Sequence, residues 1–207
     1  MSTPNKALMG QAREALKGKW RLGIEIAFIY WVILAAVQFI PYVGWVASLL
    51  ISGPLALGVS IYWLAFAKKE YLPMNTLFKG FNKFGDSFIL YLLMSIYIFL
   101  WTLLLIIPGI VASLRYSQAF FIFAEDSNIE PSEALRRSKK IMYGHKWKLF
   151  RLWLRLFGWA LLCILTLGIG FLWLAPYANV TLAKFYEDIK RESGEKEIPE
   201  VIEVPKA

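Results

Sequence analysis

Long apolar runs constrain the fold of this chain more than any other feature of its sequence. A helix needs roughly 20 apolar residues to cross the ~30 Å hydrocarbon core of a bilayer. Six stretches approach that length, and they are Leu22–Ile40, Trp45–Ala67, Ser87–Ile107, Gly109–Ala124, Leu149–Leu167 and Ile169–Tyr186. Because only helices or closed barrels satisfy every backbone group in lipid, we predict an all-α fold, a polytopic membrane bundle of six transmembrane helices.

The composition supports a membrane location. The chain is 58% hydrophobic and 18% charged, whereas a soluble domain has about 45–50% and about 25%. One soluble core of 207 residues could not hide nine Trp and fifteen Phe, so the excess needs lipid around it. The formal charge of +8 would suggest nucleic acid in a soluble protein. The cations are confined to a few segments, and we therefore predict no nucleic-acid partner.

Short breaks pair the six runs into three hairpins. The breaks are Pro41-Tyr42-Val43-Gly44, Pro108-Gly109 and Gly168-Ile169-Gly170. Gly and Pro are strong helix breakers, so each break predicts a tight turn at a membrane surface. The predicted hairpins cover approximately residues 22–67, 87–124 and 149–186.

The positive charges predict the orientation. Lys and Arg precede the first run, separate the hairpins and follow the last run, but the three turns contain none. Cytoplasmic segments carry an excess of Lys and Arg. We therefore predict a multi-pass protein with cytoplasmic N- and C-termini and outward-facing turns, with residues 1–190 as a single membrane domain and 191–207 as a disordered cytoplasmic tail.

Two connecting stretches have the pattern of cytoplasmic amphipathic helices, at residues 4–17 and 131–144. Their apolar positions form one face each, Leu8, Ala12, Ala15 and Leu16 in the first and Ala134, Leu135, Ser138, Ile141 and Met142 in the second. Such helices lie in the headgroup plane, held by apolar burial and by anionic lipid. The alternative is an ordinary solvated connecting helix.

The hairpins also show signs of a threefold repeat. Pro54, Arg115 and Pro176 lie in the second helix of each hairpin and are 61 residues apart both times. Interrupted helices at matching positions of internal repeats indicate a binding site in membrane carriers. The alternative is the rough periodicity that any three hairpins of similar size would show.

Arg115 is the most informative candidate site residue because it falls near the middle of its predicted span. A charge at that depth costs roughly 2.5–3.5 kcal/mol on insertion scales and usually faces a bundle interior. Gln118 adds a polar group beside it, and Glu25 and Asp86 are candidate ion partners. The functional interpretation is a site for an anionic group such as a lipid phosphate. The structural interpretation is an arginine bonded to backbone carbonyls at helix breaks.

A second candidate site is a ladder of basic residues. His145, Lys148, Arg151 and Arg155 follow a 3-3-4 spacing, which places them on one helical face. A phosphate-bearing headgroup fits along such a ladder. The alternative is snorkelling, in which long basic side chains reach back to the interface while their stems stay in apolar surroundings.

Groups for catalysis are scarce in this sequence. His145 is its one histidine and Cys163 its one cysteine, and Cys163 lies in an apolar run where a buried, inert thiol is expected. We find neither paired carboxylates at membrane depth nor a phosphate-binding glycine loop. We therefore predict no enzymatic activity, no metal site and no cofactor.

Several motifs resemble the domain of unknown function 975 family, polytopic membrane proteins common in Gram-positive bacteria. They are Leu103–Ile110 with Arg115-Tyr116-Ser117-Gln118-Ala119, Ser138–Met142 leading to Gly144-His145-Lys146, Thr166–Gly170, Pro176-Tyr177 and Phe185-Tyr186-Glu187. The resemblance implies a bacterial plasma membrane and no established activity. The family is also distantly similar to the membrane domain of some glycerophosphodiester phosphodiesterases, which implies, by analogy of fold alone, a role connected with lipids.

Two functions remain open from the sequence. The first is a non-enzymatic membrane protein that binds or moves lipids or other amphiphiles, with anionic headgroups on the cytoplasmic side as partners. The alternative is a scaffold or interaction subunit, with a membrane-protein partner or a second copy of the chain. The predicted ligand-binding residues are Arg115, Pro54, Pro176, Gln118, Lys148, Arg151 and Arg155.

Overall fold

The protein is described by a computed structural model at residues 3–39, 44–166 and 168–194. Throughout these ranges the regular elements are helical, which confirms the all-α prediction. They are α1 (Asn5–Leu16), α2 (Trp20–Gln38), α3 (Gly44–Ala67), a 3₁₀ segment (Met74–Lys83), α4 (Phe84–Leu104), α5 (Ile106–Tyr116), α6 (Ala119–Glu125), α7 (Pro131–Ile141), α8 (Lys146–Leu165) and α9 (Phe171–Glu192).

Among the described residues, four helical stretches are long and apolar enough to cross a membrane, which is compatible with a membrane-spanning protein. They are Trp20–Gln38, Val46–Ala67, Met74–Leu104 and Ile106–Glu125. At the tip of the α4–α5 hairpin the apolar side chains are not covered by protein: Leu103, Ile106 and Ile107 are each at least 73% exposed. Large apolar side chains exposed in a continuous patch are a sign of a lipid or protein contact.

The second hairpin differs from its prediction at two points. Its turn lies at Leu105, whose backbone is extended, and Pro108 and Gly109 belong to the first turn of α5. Proline is tolerated there because the first N–H groups of a helix have no intrahelical acceptor. The helix that follows is also interrupted, because α5 ends at Tyr116 and α6 begins at Ala119.

The other predicted boundaries meet the structure in part. The third hairpin turns at Gly168, which has a positive φ of 86°, a conformation that glycine adopts without strain. Residues 41–43 of the first turn and residues 195–207 of the predicted tail lie outside the described part. Arg191 and Glu192 were predicted to be in the tail but form the last turn of α9, where the neighbouring Ile189 and Lys190 are buried.

The apolar faces of α1 and α7 are buried against protein, whereas the sequence suggested the lipid headgroup plane or solvent around them. All the predicted apolar positions of the two helices are at most 4% exposed. The helix α1 packs on α9, and α7 packs on α4 and α6. Lipid is therefore not needed to cover these faces, which explains why short helices outside the long apolar runs are ordered.

The packing follows a threefold cyclic pattern. Each unit consists of a short helix and a hairpin: α1 to α3, the 3₁₀ segment to α6, and α7 to α9. The second part of each hairpin contacts the short helix and the first long helix of the next unit. In the first unit α3 contacts the 3₁₀ segment and α4. In the second unit α5 and α6 contact α7, and α5 also contacts α8. In the third unit α9 contacts α1 and α2. The last unit thus packs against the first, and the three units that the 61-residue spacing suggests are also seen in the packing of the helices.

Glycines allow the closest of these contacts, between α3 and the 3₁₀ segment. A methyl group on Gly80 would overlap the carbonyl oxygen of Pro54, and one on Gly58 would overlap the carbonyl oxygen of Leu77. Both obstacles are backbone atoms, which no side-chain rotation can remove. The two backbones are therefore in contact through Gly58 and Gly80.

We expect Gly80→Ala to destabilise the protein by roughly 3 kcal/mol or more, because overpacking against backbone forces the two elements apart. The matched control is Gly85→Ala in α4, where an added methyl group meets nothing within 4 Å and helix propensity favours alanine by up to about 1 kcal/mol. The apparent midpoint of thermal unfolding in mild detergent measures both. Equal midpoints for the two variants would contradict the proposed contact.

Candidate functional site

The chain at Arg115 is a polar break inside an apolar hairpin. The Ser138 hydroxyl of α7 donates a 2.9 Å hydrogen bond to the carbonyl oxygen of Arg115. Gln118 is 1% exposed, and its amide nitrogen donates to Ser117 Oγ at 2.9 Å, while its Oε1 has no partner among the described residues. The interruption between α5 and α6 is therefore held by α7 and by local side-chain bonds.

The guanidinium of Arg115 does not meet the partners predicted for it. Within the described ranges it forms no ion pair, and Glu25 instead pairs with Arg21 at 2.7 Å. The side chain is partly buried and lines a cavity of about 60 Å³ together with Trp101 and Pro108. That volume holds about two waters, which is too little for a lipid headgroup. The predicted ion pairs with Glu25 or Asp86 are therefore wrong.

The two prolines are packing points and do not share the Arg115 cavity. Pro54 is buried beside Gly80. Pro176 is buried against Gly23 of α2, where a methyl group on the glycine would lie 3.0 Å from the Pro176 Cβ. Neither proline lines the cavity at Arg115. Both prolines lie inside continuous helices, α3 and α9, so the predicted interruptions are absent at these two positions and the prolines do not converge on one pocket.

The basic ladder divides into a buried half and an exposed half. Lys148 is 9% exposed, and its Nζ lies 2.5 Å from Asp188 Oδ2. Asp188 also accepts hydrogen bonds from the backbone and hydroxyl of Thr3. His145 Nε2 lies 3.9 Å from Glu192. Lys148 and His145 therefore face carboxylates of α9, and Lys148 serves to join α8 to α9.

Arg151 and Arg155 form the exposed half. Both side chains are exposed, and neither has an ion pair or hydrogen bond to the described part of the chain. They are four residues apart, so they lie one above the other on the same helical face. The structure thus leaves two stacked arginines exposed on one side of α8, followed by the apolar second half of the helix.

An ionic cluster that the sequence did not reveal joins the second helices of the three units. Lys190 Nζ lies 2.6 Å from a carboxylate oxygen of Glu125, Lys68 Nζ lies 3.8 Å from the other, and the Tyr186 hydroxyl donates to Glu125 at 2.7 Å. Glu125 ends α6, Lys68 follows α3 and Lys190 lies near the end of α9. Their separation along the chain hides this cluster from any local motif.

A larger cavity was also missed by the sequence. It has a volume of about 360 Å³ and lies between the α1–α2 corner and the α8–α9 hairpin. Its lining combines one cation with aromatic rings and includes Arg13, Trp20, Trp159, Trp173, Tyr177 and Cys163. We call it the α8–α9 groove. Tryptophans from three different helices converge here, which spacing within one helix cannot indicate.

The Lys148–Asp188 pair predicts a pH-dependent contribution to stability. Burial by itself would raise the pKa of Asp188, but the hydrogen bonds from Lys148 and Thr3 outweigh it and lower that pKa below its ordinary value. A carboxyl whose pKa is lowered by folding stabilises the fold above its unfolded pKa of about 3.9 and loses that effect as the pH falls through the folded value.

We therefore expect Asp188→Asn to cost about 2–3 kcal/mol at pH 7, because it leaves Lys148 buried without a counter-charge. The difference from the wild type shrinks below about pH 4. Thermal unfolding midpoints in detergent across this range give the measurement. Glu133→Gln is the control, since its partners Arg136 and Arg137 lie one turn away on the same helix and neither side chain is buried. A wild-type advantage that is independent of pH would contradict the role of Asp188.

Comparison with known proteins identifies a family and no activity. The family described as "Protein of unknown function (DUF975)" matches residues 1–112 and 102–193. No curated protein and no solved structure matches. The more distant similarity to the membrane domain of glycerophosphodiester phosphodiesterases finds no support in these comparisons. Since the matches together cover most of the sequence, the chain belongs to the DUF975 family of proteins of unknown function.

Proposed function

We propose that this protein crosses the bacterial plasma membrane six times, with both termini in the cytoplasm, and binds anionic lipid headgroups without catalysing a reaction. The observation that carries the proposal is that Arg151 and Arg155 on α8 are exposed and have no ion pair with any residue that the structure describes. An arginine on the lipid-facing side of a helix is stabilised by an anion near the interface, and lipid phosphates are abundant there.

Two further helices, α8 and α9, complete the six crossings. With 20 and 22 residues they are about 30 Å and 33 Å long, enough for the hydrocarbon core. All Lys and Arg residues of α8 lie in its first half, and its second half exposes the large apolar side chains Leu161, Leu162, Ile164 and Leu165. This asymmetry supports a crossing whose first half approaches the cytoplasm.

The direction of the side chains favours a headgroup at the cytoplasmic surface. Long side chains of an α-helix lean toward its N-terminus, which for α8 is the cytoplasmic end in this topology. Arg155 lies nine residues, or about 13 Å, from the start of α8. Its guanidinium therefore extends toward Arg151. Each of the two guanidinium groups can bind a phosphate in the bidentate geometry that arginine favours.

Cysteine labelling tests the topology. In a Cys163→Ser background, we expect a membrane-impermeant maleimide to label Ile169→Cys in intact cells. Lys139→Cys, on the exposed side of α7, reacts only after the cells are broken, because it faces the cytoplasm. Labelling of Lys139→Cys in intact cells would refute the orientation.

Native mass spectrometry tests the lipid site. We expect the double variant Arg151→Gln/Arg155→Gln to retain phosphatidylglycerol about tenfold less well than the wild type, since a hydrogen bond to a charged group contributes about 1.5–3 kcal/mol. Lys139→Gln/Lys140→Gln on α7 removes the same charge from an exposed surface and serves as control. Equal retention by both double variants would remove the basis for a specific site.

A scaffold role uses the same surface differently, because carboxylates of a partner helix also pair with exposed arginines. A protein that co-purifies with the wild type but not with Arg151→Gln/Arg155→Gln would favour this role. A lone chain that retains phosphatidylglycerol favours lipid binding.

A further inference from the structure

The α8–α9 groove has the dimensions and lining of an amphiphile site. Its volume of about 360 Å³ lies near the lower end of the roughly 300–1,000 Å³ range of small-molecule sites. It therefore has room for part of one acyl chain and not for a whole two-chain lipid. Trp159 and Trp173 are 54% and 50% exposed, so the groove opens sideways along the face that would meet lipid.

The groove runs along the helix axis of α9. Gly170 and Trp173 line one end of it, and Tyr177 lines the other. The seven residues from Gly170 to Tyr177 correspond to about 10 Å along a helix. Tyr177 follows Pro176, which packs on Gly23 in the first turn of α2, and α2 begins at the cytoplasmic surface in the proposed topology. The inner end of the groove thus faces the cytoplasmic half of the membrane.

A cation stands at this inner end. Arg13 belongs to α1, lies near Tyr177 and lines the groove. Its side chain is exposed, and it has neither an ion pair nor a hydrogen bond with any residue in the described ranges. A guanidinium without such a partner at the end of the α8–α9 groove is complementary to a molecule with an anionic head and an apolar tail.

The groove also continues into the exposed arginines of α8. Arg151, Arg155 and Trp159 are four residues apart in succession and therefore follow one helical face. Trp159 is a groove wall, so the cationic and aromatic parts of this face are adjacent. Tryptophan suits such a boundary because its ring is apolar and its N–H is polar.

We infer that the α8–α9 groove binds one acyl chain of an anionic phospholipid from the cytoplasmic leaflet, with the lipid phosphate held by Arg13. This inference rests on the proposed membrane orientation and deepens the proposed headgroup function: it assigns the site of the chain and adds Arg13 to Arg151 and Arg155 as a phosphate ligand. The second acyl chain stays in the bilayer, outside the tryptophan walls. Arg13 favours lipids with an anionic headgroup, and the groove favours molecules with an acyl chain.

Filling the groove tests the inference. Cys163 faces the groove, so Cys163→Phe occupies the space of the acyl chain, and Leu174→Phe does so from α9. The control is Leu162→Phe, one residue away on α8 at a 54% exposed position that does not line the groove. The full-length protein in mild detergent is titrated with phosphatidylglycerol and with phosphatidylcholine of the same chains, and bound lipid is counted by native mass spectrometry.

We expect Cys163→Phe and Leu174→Phe to weaken phosphatidylglycerol retention about tenfold and Leu162→Phe to leave it unchanged. Arg13→Gln reduces the preference for phosphatidylglycerol over phosphatidylcholine by a similar factor. Unfolding midpoints identify a misfolded variant, and the other groove-filling variant then decides the result.

Wild-type retention by the groove-filling variants would overturn the inference. If Arg151→Gln/Arg155→Gln still reduced retention in that case, the headgroup function would stand and only the groove assignment would fall. If no variant changed retention, the groove assignment and the proposed function would fall together. An unchanged lipid preference in Arg13→Gln would remove Arg13 as the phosphate ligand.

Discussion

The packing of α9 against α1 and α2 is the contact on which the closed arrangement depends. It brings Pro176 onto Gly23 and sets Asp188 between Lys148 and Thr3. Without it, the three units would form an open row in which the first and last expose their apolar faces. With this contact, the second helix of each hairpin packs against the next unit. Closure also creates the α8–α9 groove, because the groove walls come from both ends of the chain.

Among the cations of the described residues, one group is buried and paired with carboxylates and another is exposed without such partners. Lys148 and Lys190 are at most 9% exposed and have carboxylates within hydrogen-bond distance. A buried lysine without such a partner would lose its charge or destabilise the fold. Arg13, Arg151 and Arg155 are exposed and have no such partner in the described ranges. Their charge contributes nothing evident to the fold, which is why they are the residues assigned to lipid.

Much of the fold could be predicted from local patterns, while the site could not. The apolar runs, the buried faces of α1 and α7 and the 61-residue spacing all follow from periodicity. The interruption after Tyr116 was missed because Ser117 and Gln118 are tolerated inside helices as well as between them. The pairing of Lys148 with Asp188 joins residues that are 40 positions apart. Spacing within α8 suggested a ladder of four free cations, and only the arrangement of the helices shows that Lys148 and His145 face carboxylates of α9.

The bond between Thr3 and Asp188 spans 185 residues, and it has a consequence for biosynthesis. A ribosome delivers the first unit to the membrane long before α9 exists. During that interval the faces of α1 and α2 that α9 later covers lack the helix that covers them in the folded protein. The ring closes only when the last helix arrives, which makes assembly of this protein a late event governed by its final segment. A nascent chain that stops before α9 therefore lacks both the contact between the last and first units and the α9 wall of the α8–α9 groove.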